Sequence, residues 1–255
     1  MSAFAVPTHG HSLIESPAES RQPMKPIVLD DITFRVNRLE LFERLGAAPG
    51  DGIGAELDAL AADAERIGRP RVVYRLAGVD GRAEAETVIG GIAFASRVLA
   101  VNLESAHQVF PYVLTCGPEL QAWSDALSDP LAQYWAGTIM EFALGSATAR
   151  FLAHVEETFH LGSSSSMNPG SLPDWPLPQQ GPLFNLLGDV AGAVGVTLSD
   201  SFVMLPTKSV SGILFPTEKD FASCQLCPRE ECPNRRAPYD PGLFDRRFAS
   251  QSSNA

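Results

Sequence analysis

The feature that most constrains this chain is one long helix, running from about Pro130 to Phe159. Ser128-Asp129-Pro130 supplies an oxygen-bearing cap and a proline at the first turn, and Gly162 is a natural stop. Its apolar residues, Leu131, Trp135, Phe142, Leu152 and Phe159, give the shorter segments a face to pack on. Small residues such as Gly137, Ala143, Gly145 and Ala147 would admit another backbone closely. His154 and His160 stand six apart, which puts them on different faces and rules out a His-Glu-x-x-His zinc site, so both read as surface residues.

Around this helix the patterns alternate in kind. Ile27-Val28-Leu29 is a short apolar stretch, followed by a helix from Val36 to Leu45 closed by Gly46. A second helix begins near Ile53, carries Leu57, Leu60, Ala61, Ala64 and Ile67 at helical spacing, and ends at Gly68 and Pro70. Strand-like segments follow: 71–76, a turn at Asp80-Gly81, then 87–89, 92–94 and 112–114. Hairpin-like turns among helices imply an α+β fold with a largely antiparallel sheet and flanking helices. Four regions are expected: a disordered tail (1–26), an α+β domain (27–220), a cysteine-rich metal-binding segment (221–240) and a flexible tail (241–255). His9 and His11 read as a solvated pair on the first of these.

Hydrophobic residues make up 45% of the 255, enough to bury a substantial core. The formal net charge of −11 argues against nucleic acid, whose phosphates require a basic surface. No apolar run reaches the ~18 residues of a membrane span, and membranes are not expected partners. The opening residues lack the basic region and apolar core of a secretory signal, so a cytoplasmic location is expected.

Cys224-x-x-Cys227-x-x-x-x-Cys232 packs three soft ligands into one short segment, with prolines after the last two. That spacing suits a metal. An iron–sulfur cluster tolerates three cysteines and an open fourth position; zinc would want a fourth ligand, for which distant Cys116 is the candidate; unused thiols are the third reading. Disulfides are the weakest, given the expected reducing compartment. Residues 163–172 read as a Ser-, Asn-, Pro- and Gly-rich loop able to line a pocket. No Gly-x-x-x-x-Gly-Lys cradle or Gly-x-Ser-x-Gly elbow occurs, so nucleotide hydrolysis and serine hydrolysis lack support.

Several segments occur together: Asn168-Pro169-Gly170, Asp174-Trp175-Pro176, Leu183-Phe184-Asn185-Leu186-Leu187-Gly188, Gly195-Val196-Thr197-Leu198, and the run from Asp200 through Pro206-Thr207-Lys208-Ser209-Val210-Ser211-Gly212. They resemble the S-adenosylmethionine-binding activation domain of cobalamin-dependent methionine synthase and its stand-alone bacterial relatives, some of which carry a similar three-cysteine tail. The resemblance is clearest over 165–216. It implies the methionine synthase activation-domain fold and a cofactor-facing surface at Asn168, Pro169, Gly170, Ser171, Lys208, Ser209, Ser211 and Gly212. It implies an accessory role, as a corrinoid reductive activase returning oxidised cobalt to its low-valent state. The partner would be a corrinoid protein or cobalamin-dependent methyltransferase, which holds the corrinoid. The alternatives are a non-redox, zinc-stapled binding module and S-adenosylmethionine-dependent reductive methylation.

The chain departs from that family at three positions. Ser166 and Ser171 stand where members carry an arginine and a tyrosine, and Leu214 replaces a second tyrosine. Losing the guanidinium fork removes a carboxylate partner, and losing the rings removes a stacking surface. S-adenosylmethionine is therefore expected to bind weakly or not at all. Apart from the resemblance, Gly212 reads as a strand position against which a ligand or backbone can press, while Ser209 and Ser211 read as satisfying nearby backbone groups.

Overall fold

The computed structural model describes residues 25–217, 221–232 and 235–249. Strand β1 (Ile27–Leu29) leads to helices α1 (Arg38–Leu45) and α2 (Gly52–Ile67). Four strands follow, β2 (Arg71–Tyr74), β3 (Ala77–Ala83), β4 (Glu86–Ile89) and β5 (Ile92–Ala95), then α3 (Arg97–Asn102). Strand β6 (Gln108–Thr115), α4 (Pro118–Asp125) and the long α5 (Pro130–Phe159) come next. The remainder is β7 (Ser164–Met167), α6 (Gln180–Leu187), α7 (Val190–Val194), β8 (Thr197–Leu198), β9 (Met204–Leu205) and β10 (Ser209–Pro216).

Every strand pairing is antiparallel. The main sheet runs β1-β2-β6-β3-β4-β5, and β10 lies along the other edge of β6 with β7 outside it. Val72, Tyr74, Tyr112 and Leu114 point toward Ala147, Phe151 and Val155 of α5. Val73 and Val113, one residue out of phase, pack on Leu187, Val190 and Val194 of the helices opposite. The period of two thus splits β2 and β6 between two cores. The N-terminal half of α5 closes a third core with α1, α2 and α4, and a fourth forms around Phe94, Trp175, Ile213 and Phe215. This is the expected α+β architecture, with an antiparallel sheet and one long flanking helix. Among the described residues no helix is long and apolar enough to cross a membrane.

Helix boundaries follow their caps. Asn37 and Asp51 accept from the N–H groups of Glu40 and Gly54, and Asp129 accepts from Leu131 N–H ahead of Pro130. At the other end of α5 it is His160, not Gly162, that takes the left-handed cap, with φ 52 and its N–H on the Glu156 carbonyl.

Four local readings change. Asp80-Gly81 is not a turn: β3 runs through it with an irregularity between Val79 and Gly81, and the Asp80 carboxylate accepts from Gly91 N–H. Residues 164–167 are strand β7 paired to β10, because β10 still has a free edge for it. His154 is half-buried and shares a 2.8 Å hydrogen bond with the Tyr74 hydroxyl. On α5, Ala143 and Ala147 face the core, whereas Gly137 and Gly145 face open space rather than another backbone.

The C-terminal segment folds against the body. Phe221 and Phe248 are buried in the core around Trp175, Arg97 donates to the carbonyls of Phe248 and Ala249, and Arg247 donates to Asn102 Oδ1. Residues 241–249, assigned from sequence to a flexible tail, therefore lie partly in the core. His9 and His11 lie outside the described residues.

Glu65 joins α2 to the chain entering α1, accepting from Val36 N–H at 2.7 Å and Arg38 Nη1 at 3.1 Å. Burial works against its ionisation, but these donors outweigh it and hold the carboxyl below its ordinary 4.5. Glu65→Gln is expected to cost about 1–2 kcal/mol at neutral pH. A depressed pKa stabilises the fold above the unfolded value and ceases to as pH falls through the folded one. Urea titrations should accordingly show the two proteins converging as the pH falls from 4.5 through the lowered pKa of Glu65.

Candidate functional site

Strands β7 and β10, the middle of α5 and the C-terminal segment enclose an open cleft of about 1120 Å³. Its floor is Tyr112, Leu114, Val210 and Leu214, with Phe151 of α5 beside Tyr112 at a ring separation of 5.0 Å. Asn168, Gly170 and Ser171 form one rim, and Lys208 and Ser209 another. Cys224, Cys227 and Cys232 form the roof, so segments about fifty residues apart in sequence face one space.

The loop after β7 is held by backbone bonds: Gly170 N–H donates to the Trp175 carbonyl and Ser171 N–H to that of Asn168. Gly170 sits at φ +83, a backbone conformation that favours glycine. Asp174 ties this loop to α3, accepting from the Ser96 hydroxyl and from Val98 N–H. Trp175 is fully buried. Asp174 and Trp175 thus build the site without lining it.

Gly212 is buried, and of the two occupants read from sequence, a ligand or another backbone, it is the backbone that presses on it. A Cβ there would meet Asn168 Nδ2 at 2.5 Å, the Met167 carbonyl at 2.6 Å and the Tyr112 hydroxyl at 2.7 Å. The space a side chain would take is filled from within, so no external ligand presses on this glycine. Asn168 Nδ2 occupies it, donating to the Tyr112 hydroxyl at 2.9 Å and the Ser211 carbonyl at 2.7 Å. Burial raises the Tyr112 phenol above its ordinary 10, against the opposing pull of Asn168, Ser166 and the Arg236 charge.

The serines behave as satisfiers of nearby polar groups. Ser209 Oγ lies 2.9 Å from Thr115 Oγ1 and donates to the Pro206 carbonyl at 2.8 Å. Ser211 Oγ faces away from the cleft and donates to Gln180 Oε1 at 2.9 Å. Lys208 pairs with Glu141 at 2.6 Å. Pro169, Ser211 and Gly212 are not among the cleft-lining residues; Asn168, Gly170, Ser171, Lys208 and Ser209 are. Ser166 and Leu214, two of the departures, sit directly opposite each other in the β7–β10 register.

The cysteine segment is organised by Arg235, which donates to the carbonyls of Cys224, Cys227, Arg229 and Ala237. Arg236 N–H reaches Cys224 Sγ at 3.4 Å. Burial alone would raise the Cys224 thiol, but the Arg236 and Ala237 N–H groups and the Arg236 guanidinium hold it below its ordinary 9.0. All three thiols are half-buried and free. Three soft sulfur donors on one cleft suit iron or zinc in kind, but among the described residues no three His, Cys, Asp or Glu side chains are arranged to hold an ion. Cys116 is fully buried in the core of α1, α2 and α5, where burial pushes its thiol up to about 12, and it does not line the cleft.

No protein-family model matches the chain, and no curated protein matches it. Among solved structures, the crystal structure of the MetH reactivation domain bound to AdoHcy is similar, with a TM-score of 0.52 over 79% of this chain and 82% of that one, at 17% identity. The fold is that of a MetH reactivation domain. At this identity the likeness is one of fold, and the cleft must be read from its own residues.

Sequence reasoning missed Tyr112, Glu141, Arg235 and Arg236. Tyr112 was inside a strand with no polar neighbour in sequence, but Arg235-Arg236 is a basic pair in an acidic chain and could have been singled out. Adding one methyl group at Gly212 is expected to destabilise by about 1–3 kcal/mol, because the carbonyl and hydroxyl it meets belong to paired strands. Asn168→Ala should cost a similar amount by removing the amide that donates to the Tyr112 hydroxyl and the Ser211 carbonyl. The two losses should not add in denaturant titrations of Gly212→Ala, Asn168→Ala and the double variant, since both act on one contact.

Proposed function

We propose that this protein is an accessory factor of a corrinoid-dependent methyltransferase, docking on a corrinoid protein and promoting return of oxidised cobalt to its low-valent state. The observation that carries the reading is the single cleft shared by the Asn168–Ser171 loop, β10 and three cysteines, on the fold of a MetH reactivation domain. Val210, Leu214 and the loop would meet the partner, with Gly212 serving the loop's geometry instead of the ring's approach. Cys224, Cys227 and Cys232 would hold the metal after the segment closes further around it, and Arg236 favours the thiolate form of Cys224 that a ligand must adopt. An iron–sulfur cluster there would supply low-potential electrons, within a range that reaches about −700 mV.

Mixing the chain with candidate corrinoid proteins and a low-potential reductant, and following cobalt by absorbance, tests the role. Ser171→Trp, at an exposed rim position, should slow reactivation about tenfold without changing thermal stability. If no corrinoid protein responds, the likeness is one of fold alone. Iron, sulfide and zinc analysis after anaerobic purification tests the thiols separately. Serine at Cys224, Cys227 or Cys232 should remove the metal, whereas Cys116→Ser should retain it. Protein with neither iron nor zinc would end the metal assignment.

S-adenosylmethionine is expected to bind at about millimolar strength or weaker, because Ser166 and Leu214 provide neither a guanidinium fork nor a ring at the cleft floor. Calorimetry measures this directly. Tight, saturable binding would instead favour reductive methylation as the mechanism.

A further inference from the structure

The cleft is cationic in an acidic protein. Against a formal net charge of −11, its lining holds Arg44, Lys208, Arg229, Arg235 and Arg236 but one carboxylate, Glu141. Charges farther than about 8 Å are largely screened at physiological salt, so the local balance governs what enters.

The five cations are not equally committed. Arg44 and Lys208 pair with Glu141, Arg44 also with Glu40, and Arg235 is spent on backbone carbonyls. Arg229 and Arg236 have no carboxylate partner among the described residues. Arg236 is exposed at the cleft, where its backbone N–H meets Cys224 Sγ at 3.4 Å and its charge acts on the thiol. Ser223, buried at 6% exposure, lines the same cleft, and its hydroxyl lacks a partner among the described residues.

We infer that this cleft is an anion site, completed by the C-terminal segment, for a small molecule carrying a phosphate group. Guanidinium forks match pairs of phosphate oxygens, and two uncommitted arginines favour a multiply charged group over a single carboxylate. The same charge disfavours S-adenosylmethionine, whose sulfonium and ammonium groups outnumber its carboxylate. The inference goes beyond the corrinoid reading and shares only the cleft with it.

Calorimetric titration of the full chain with pyrophosphate should show saturable binding that weakens as salt is raised. Arg236→Gln and Arg229→Gln should each weaken it about tenfold without lowering the melting temperature, since both side chains are exposed and neither pairs with a carboxylate among the described residues. Arg66→Gln, on exposed α2 away from the cleft, should change nothing. Adenosine monophosphate should bind more tightly than adenosine. Absence of saturable pyrophosphate binding, or equal loss in all three variants, overturns the proposal. No corrinoid protein is present in these titrations, so their failure leaves the cobalt assay standing, and failure of that assay leaves the anion site standing.

Discussion

The structure depends on strand β6 being used on all four sides. It is hydrogen-bonded to β2 and β3 along one edge and to β10 along the other, while α5 covers one face and α6 with α7 the opposite one. A strand buried this completely can carry no unpaired backbone group. Val109 through Thr115 are accordingly buried, and β2 and β10 are held in register against them. Two members of this run bring hydroxyls into the interior: Thr115, whose oxygen accepts from Gly117 N–H and Ser209, and Tyr112, which lines the cleft.

The Tyr112 hydroxyl decides the geometry nearby. The Asn168 amide satisfies it, and the amide fits because Gly212, opposite Tyr112 in the register, has no side chain. The loop after β7 is thereby fastened to the sheet, and its outer residues become the rim of the cleft. A polar group buried in a sheet has thus been met by a loop whose free surface remains available for binding. The C-terminal segment completes the enclosure through Phe221 and Phe248, which enter the core, and through Arg235, which gathers the carbonyls around the cysteines.

Legibility in the sequence followed the range of the interactions. The cap at Asp129, the glycine stop at Gly46 and the limits of α5 are written in neighbouring residues, and they were readable. Strand β7 was not, because Ser164 to Met167 has no apolar alternation and becomes a strand only where β10 offers an open edge. Asp80-Gly81 has turn-forming residues but was overridden by pairing on both sides of the hairpin. Among the site residues, the three cysteines announced themselves by spacing, whereas Tyr112 and Arg236 acquire meaning only from what they face.

By itself, then, the sequence determined helices α1, α2 and α5, the α+β character of the chain and a soft-ligand segment near its end, since each rests on residues within a few positions of one another. Only the tertiary structure decided that Cys224, Cys227 and Cys232 open on the same cleft as Asn168 and Ser209, and that Cys116 does not. It also decided that Gly212 makes room for the protein's own amide and that cations gather at one place in an acidic chain. The physical reason is that proximity across a fold is set by register and by which face of each element is buried, and neither can be read from one segment alone.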